Sequence, residues 1–335
     1  MKVKKIISII MVLCVIFVLS GCSEGSSNAP AEDASNEELV FKFGHVLAPD
    51  HPYNLGAEKF KEILEANAPQ PVRVEVFHSS QLGSERDLTE GLQLGTVDLA
   101  LVPGTIASFE PKMKLFSLPF LFNDEEHAHK VLDGEVGSEI AADLPSKGLR
   151  LLAYWENGFR NVTNSKKPIN TPDDLKGLKI RVPEDKIYVE TFTAWGSNPV
   201  TMSFGELYTA LQQKTIDAQE NPLAIIYTNK FNEIQGYLSL TKHIYGTAPL
   251  LISEITWNKL SPEMQSAIQS AAEQARDYER QLLAEKNATY LKELEAAGMK
   301  INDVNVESFN KTTESIYAPY VGEFGQYIEK IRNAK

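Results

Sequence analysis

The sequence predicts an α/β protein of two lobes, and three observations predict it. From Glu38 onward, β-like runs alternate with helical runs, the pattern of α/β folds. About 295 residues follow the N-terminal leader and tether, more than one hydrophobic core serves, so two are expected. The segments 84–103 and 203–222 align without a gap at an offset of 119, which places one αβ unit in each lobe.

The chain opens with Lys2, Lys4 and Lys5 before an apolar run at 6–19, the charged and hydrophobic regions of a secretory signal. A membrane-spanning helix needs about 20 apolar residues, so this run is short for one. Its end, Leu19-Ser20-Gly21-Cys22, resembles the lipobox of bacterial lipoproteins. Residues 1–21 are thus expected as a signal peptide, with an uncleaved anchor as the alternative. Cys22 becomes the lipid-modified N-terminus, and 22–38 a polar tether on the outer face of the cytoplasmic membrane. Cys14 lies in the leader, so the mature chain forms no internal disulfide and no cysteine metal site. Net charge is −12 and becomes −15 once the three leader lysines are lost. Such acidity argues against nucleic acid and anionic membrane surfaces as partners.

Along the domain, 40–46 reads as a strand, 55–66 as a helix and 72–77 as the next strand. In the repeat, Ser84/Ser203, Leu88/Leu207, Leu92/Leu211, Gln93/Gln212, Thr96/Thr215, Asp98/Asp217 and Pro103/Pro222 are identical. Each copy opens with a serine and carries an acid three residues later, Asp87 or Glu206, the signature of a capping box. Each helix then runs into a short β-rich stretch. Convergence of ordinary αβ composition is the alternative. Ligands of open α/β sheets sit beyond the strands' carboxyl ends, beside helix N-termini. That rule selects Glu85 and Phe204 at the helix starts, and Val102 and Asn221 at the strand ends, as candidates facing a cleft.

Toward the C-terminus, Ser261-Pro262 starts a helix and Gly298 stops it. Met264, Ile268, Ala271, Ala275, Tyr278 and Leu282 form its apolar stripe. Unbroken, about 36 residues span ~54 Å and reach across both lobes; a break near Asn287 is the alternative. Lobe I is expected at 39–157 plus 247–285 and lobe II at 158–246 plus 286–335.

Two arginines stand out. Arg160 follows Tyr154-Trp155-Glu156-Asn157-Gly158-Phe159, and Arg181 lies in the strand Leu178-Lys179-Ile180-Arg181-Val182-Pro183. An arginine among apolar residues near a strand's end needs a partner, because an unpaired buried guanidinium is costly. That partner is either a ligand carboxylate, gripped through two hydrogen bonds, or an internal acid. Other motifs carry less. Gly21-Cys22-Ser23-Glu24-Gly25 lacks the strand and helix around a nucleophile elbow. His127 and His129, two apart, do not share a helix face and read as a solvated helix. Asn161-Val162-Thr163 and Asn287-Ala288-Thr289 match the glycosylation acceptor pattern, which means little behind a bacterial-type lipoprotein signal. No nucleophile–base pair or metal cluster is legible, so neither an enzyme nor a cofactor is expected.

The combination of His45…His51-Pro52, Ser80-Gln81-Leu82-Gly83-Ser84-Glu85, Leu118-Pro119-Phe120, Gly158-Phe159-Arg160-Asn161-Val162-Thr163-Asn164, 178–183, Phe204-Gly205-Glu206-Leu207-Tyr208 and Gln219-Glu220-Asn221-Pro222 resembles the DctP-type solute-binding proteins of TRAP transporters from about Phe41 to the C-terminus. The resemblance implies a periplasmic-binding-protein-like fold with crossing strands and a long helix over the hinge. It implies as partners a small and a large membrane subunit that import the solute on an ion gradient. It assigns Arg181 to the ligand carboxylate, with Arg160, Asn221, Phe204 and Glu85 around it. His45, Trp155, Tyr245 and Gln219 complete the expected site. Trp195, Tyr154, Tyr188 and His243 are further candidates for an aromatic pocket, which favours a sugar acid such as a hexuronate over a C4-dicarboxylate. A monomer is expected; a ligand sensor that signals to a membrane receptor is the rival reading.

Overall fold

The computed structural model describes residues 38–334, so the expected signal, Cys22 and all but the last residue of the tether lie outside the described residues. Among the described residues, eleven strands form two sheets. The first holds β1 (Leu39–Gly44), β2 (Val72–Phe77), β3 (Leu99–Leu101), β4 (Leu149–Phe159) and β10 (Tyr245–Ser253), in the order β2-β1-β3-β10-β4. The second holds β5 (Asn161–Asn164), β6 (Lys179–Val182), β7 (Asn198–Thr201), β8 (Ala218–Asn221), β9 (Tyr237–Leu240) and β11 (Lys300–Asp303), in the order β11-β9-β5-β8-β6-β7.

The internal repeat is structural. Helices α1 (Pro52–Asn67) and α2 (Glu85–Leu94) belong to the first lobe, and Phe204–Gln212 is the counterpart of α2 in the second. Ser84 with Asp87 and Ser203 with Glu206 both close capping boxes. Leu88 and Leu92, like Leu207 and Leu211, turn inward. Each helix leads into a strand with one parallel and one antiparallel neighbour: β3 lies between β1 and β10, and β8 between β6 and β5.

The lobes join where strands cross. β4 of the first sheet becomes β5 of the second with only Arg160 between them, and β9 returns to β10 through 241–244. The two crossings hydrogen-bond to each other at Arg160, whose N–H donates to the Ile244 carbonyl at 2.9 Å and whose carbonyl accepts from His243 N–H at 3.3 Å. Gly158, at φ +96°, supplies the left-handed turn before the crossing, where a side chain would be strained.

The long helix is continuous over Pro262–Ala296, about 52 Å at 1.5 Å per residue. Ser261 caps it by accepting from Met264 N–H. Its first half packs on α1 and β4. Its second half packs Leu283 and Tyr290 on Ala224, Leu223 and Tyr227 of the helix Leu223–Thr228 beside the second sheet. The expected stripe holds as far as Ala275; beyond it Tyr278 is exposed, and Glu279 and Leu283 take the buried positions. Four-residue spacing carried the inward face past Tyr278, onto an acid that hydropathy does not select.

The chain ends against the first lobe. In the helix Val321–Asn333, the Ile331 carbonyl lies 2.8 Å from His127 Nε2, and Lys330 pairs with Glu139. The expected placement of 286–335 in the second lobe therefore does not extend to this helix. Among the described residues, no helix is long and apolar enough to cross a membrane.

Candidate ligand-binding site

A cleft with about 530 Å³ of non-atom space, including its solvent-open part, lies between the sheets. The first lobe supplies Glu85 at the start of α2, the turn Pro103-Gly104-Thr105 after β3, and Asn157 from β4. The second supplies Arg181 from β6, Phe204 at the start of its helix, and Asn221 at the end of β8; Arg160 enters from the crossing. Both helix N-termini and the carboxyl ends of β3 and β8 meet here, because each lobe contributes the same end of the same unit. Of the four positions drawn from the repeat, Glu85, Phe204 and Asn221 line the cleft. Val102 is packed inside, and its successor Pro103 takes the lining place.

The two arginines differ. Arg160 is locked: Nε donates to Glu220 Oε2 at 2.6 Å and Nη2 to Glu220 Oε1 at 2.8 Å. Nη2 also reaches the Glu220 carbonyl and Asn221 Oδ1, and the guanidinium sits over the Tyr188 ring. The internal ion pair, left open by the sequence, is what Arg160 forms. Burial works against its charge, but Glu220 outweighs burial and holds the guanidinium above its ordinary value. Burial likewise opposes the Glu220 charge; Arg160 and His243 Nε2, at 3.1 Å, overcome it and hold the carboxyl below its usual range.

Arg181 is equally buried, yet among the described residues it pairs with no carboxylate. Nε and Nη2 both donate to the Met202 carbonyl, at 3.1 and 2.8 Å, and the ring of Phe204 lies 6.0 Å from the guanidinium carbon. One edge of the guanidinium is occupied and the Nη1–Nη2 edge is left for a planar acceptor. Burial lowers its pKa to about 10, the signature of a desolvated charge short of a counter-ion.

Glu85 faces the same space. Its Oε2 accepts from Gly104 N–H at 2.7 Å, while burial raises its pKa. Asn221 donates through Nδ2 to Gln219 Oε1 at 2.5 Å, and Gln219 Nε2 donates to Thr163 Oγ1 at 2.8 Å. This chain turns Asn221 Oδ1 toward Arg160, so Gln219 positions a lining residue from behind.

Four of the nine expected site residues lie outside the cleft lining: Gln219, His45, Trp155 and Tyr245. His45 Nδ1 accepts from Leu47 N–H at 3.3 Å and its Nε2 meets Asn54 Oδ1 at 3.2 Å, which holds the Val46–Leu47 wall. Burial drops its pKa to about 4. Trp155 packs edge-on to Phe43, and its Nε1 meets the Ala272 carbonyl of the long helix. Tyr245 packs between Phe122 and Phe159. Both rings are core, the ordinary fate of large aromatics. Trp195, Tyr154 and His243 are buried outside the lining as well. His127 and His129 reach different partners, the Ile331 carbonyl and Glu156, and among the described residues no metal-ligating cluster forms.

Sequence reasoning missed Glu220, Thr105 and Asn157. Glu220 sits between two selected residues, where strand alternation sends it to the other face; the signal was the partner that Arg160 required. Thr105 lies just beyond the strand end at which the repeat pointed.

Two α/β lobes joined by crossing strands, with an unneutralised guanidinium in the crevice between them, define a binding protein for a small anion. The chain belongs to the DctP family, bacterial extracellular solute-binding protein family 7, which matches residues 43–323. It is 40% identical over 271 residues to the 2,3-diketo-L-gulonate-binding periplasmic protein YiaO of Escherichia coli K12, covering 80% of this chain and 83% of that protein. It is 36% identical over 297 residues to the C4-dicarboxylate-binding periplasmic protein DctP of Rhodobacter capsulatus, covering 87% and 88%. Solved TRAP periplasmic solute-binding proteins share the fold. One from Polaromonas sp. JS666 bound to D-erythronate has a TM-score of 0.86 at 39% identity, covering 89% of this chain and 99% of that one. One from Roseobacter denitrificans with bound L-galactonate has a TM-score of 0.85 at 36% identity, covering 89% and 100%.

Proposed function

We propose that the protein captures a sugar acid outside the cytoplasmic membrane, to which Cys22 anchors it, and delivers it to the small and large membrane subunits of a TRAP transporter. The observation that carries this reading is the Nη1–Nη2 edge of Arg181, buried in the interlobe cleft without a carboxylate partner among the described residues. A carboxylate docks there on the second lobe. The hydroxyl groups of the ligand then reach Glu85, whose Oε1 makes no hydrogen bond among the described residues, on the first. Closure follows from the ligand's higher affinity for the closed arrangement, in which both walls touch it. Arg160 and Glu220 form a nearly neutral floor that sets Asn221 in place.

The test is calorimetry and thermal shift with uronates, aldonates and dicarboxylates. Saturation at 100 times the dissociation constant adds about 2.7 kcal/mol to stability. Arg181→Lys keeps the charge and loses the two-point edge, so affinity falls by about 1.5–3 kcal/mol. Unchanged affinity in that variant, or no shift with any organic acid, overturns the reading.

A further inference from the structure

Eight buried side-chain atoms among the described residues lack a hydrogen-bond partner, and two of them belong to residues lining the cleft: Thr105 Oγ1 and Asn157 Oδ1. Both residues are more than nine-tenths buried. Thr105 precedes the short helix Ile106–Phe109 but does not cap it, so its hydroxyl is not spent on the backbone. An amide oxygen accepts and does not donate, and leaving it unpaired inside a protein is unfavourable. The group that satisfies it carries a proton. A hydroxyl does; a carboxylate at neutral pH does not.

The charges on these walls point the same way. Arg160 is neutralised by Glu220. Arg86 Nη2 bonds Glu184 Oε2 at 2.8 Å across the cleft. Among the described residues lining the cleft, Arg181 alone remains for an anion, and the opposite wall offers Glu85, whose Gly104 contact sets it one residue from Thr105. A second carboxylate at the far end of the ligand would face Glu85 without a free cation.

We infer that Thr105 and Asn157 are specificity-determining residues that read hydroxyl groups along the ligand chain, so that the cleft takes a polyhydroxylated monocarboxylate and discriminates against the matching dicarboxylate. This rests on the proposed function above, which supplies the carboxylate at Arg181.

Calorimetry on the mature chain tests it with two matched pairs, D-erythronate against tartrate and L-galactonate against galactarate, plus D-galacturonate. The tightest-binding monocarboxylate serves as the probe. Thr105→Val and Asn157→Leu each weaken it about tenfold, the loss of one hydrogen bond of ordinary strength. Thr105→Ser restores wild-type affinity, and circular dichroism with thermal melting shows the variants folded. In each pair the monocarboxylate binds at least about tenfold tighter than the dicarboxylate. Wild-type affinity in both Thr105→Val and Asn157→Leu, or a dicarboxylate that binds as tightly as its partner, overturns the inference while leaving Arg181 as anchor. If the unsubstituted chain binds none of the five acids, this inference and the proposed function fail together. If Asn157→Leu does not fold, Thr105→Val against Thr105→Ser decides the outcome alone.

Discussion

Asp98 and Asp217 perform the same task in different lobes. Asp98 Oδ2 accepts from Lys42 N–H of β1 at 2.9 Å, and Asp217 Oδ2 accepts from Lys179 N–H of β6 at 3.0 Å. Each aspartate also donates its own N–H to the carbonyl of that same lysine. The carboxylate thus zips the start of the repeat strand to its parallel neighbour, where the ladder has an unpaired donor. Lys166 at 2.8 Å and the Lys179 N–H hold the Asp217 carboxyl below its usual pKa, against the effect of its partial burial.

Asp217→Ala removes a charge-assisted acceptor and leaves Lys179 N–H without its partner, so stability falls by about 2 kcal/mol. Asp98→Ala loses a similar amount, since Thr256 Oγ1 also donates to Asp98. Urea titration of both variants checks this. A loss in only one would mean that the shared geometry is not shared energetics.

Arg160 and Arg181 separate stability from binding. Arg160→Gln strands Glu220 in the interior with His243 as its one remaining ion-pair partner among the described residues, and a broken buried pair of this kind costs about 3–5 kcal/mol. Arg181→Gln leaves no buried acid uncompensated by a hydrogen-bonded partner, so its unliganded stability stays within about 1 kcal/mol of wild type while carboxylate binding is lost. Denaturation without ligand and calorimetry with ligand distinguish the two. Equal destabilisation by both variants would assign Arg181 a structural role.

The repeat was legible because capping boxes and inward leucines are local devices with fixed spacing, and the same spacing led to Glu85, Phe204 and Asn221; the strand that each aspartate ties, 56 or 38 residues away, was not. Trp155 and Tyr245 were not separable from pocket aromatics, because a ring that fills a core and one that lines a cleft have the same neighbours in sequence. Arg160 and Arg181 look alike in one dimension; only pairing across β5 and β8 brings Glu220 to the first and not the second. The return of the helix Val321–Asn333 to the first lobe follows from contacts some 200 residues apart, such as His127 with Ile331, which no local pattern encodes.

Gly56 sets helix propensity against packing. Alanine is favoured over glycine within a helix by about 1 kcal/mol. A Cβ at Gly56, however, would lie 2.6 Å from Trp155 Cζ3. The indole is held edge-on to Phe43, and its Nε1 donates to the Ala272 carbonyl at 3.4 Å, so a shift away from Gly56 disturbs both contacts. Overpacking of a fixed core typically costs 1–3 kcal/mol. Gly56→Ala therefore lowers the melting temperature despite improving α1, and a rise would show that Trp155 has room to move.

His45 gives stability a pH dependence of defined sign. Burial lowers its folded pKa to about 4 from an unfolded value of 6.5. Below pH 6.5 the unfolded chain takes a proton that the folded chain refuses, so stability from this group drains away as pH falls toward 4. The drop amounts to about 3 kcal/mol at full extent. Glu279, buried on the long helix, runs the other way: burial first, then Glu156, raise its pKa, so the folded chain holds that proton more tightly and gains as pH falls. The whole-protein curve mixes both slopes, and the single-variant difference isolates one. His45→Gln removes a titrating group and keeps a polar one, so its stability relative to wild type improves steadily from pH 6.5 to 4. Guanidinium titrations of both proteins at half-unit steps read that difference directly. A difference independent of pH would mean that His45 is hydrated enough to protonate in the folded state, and that the Val46–Leu47 wall it supports is open to water.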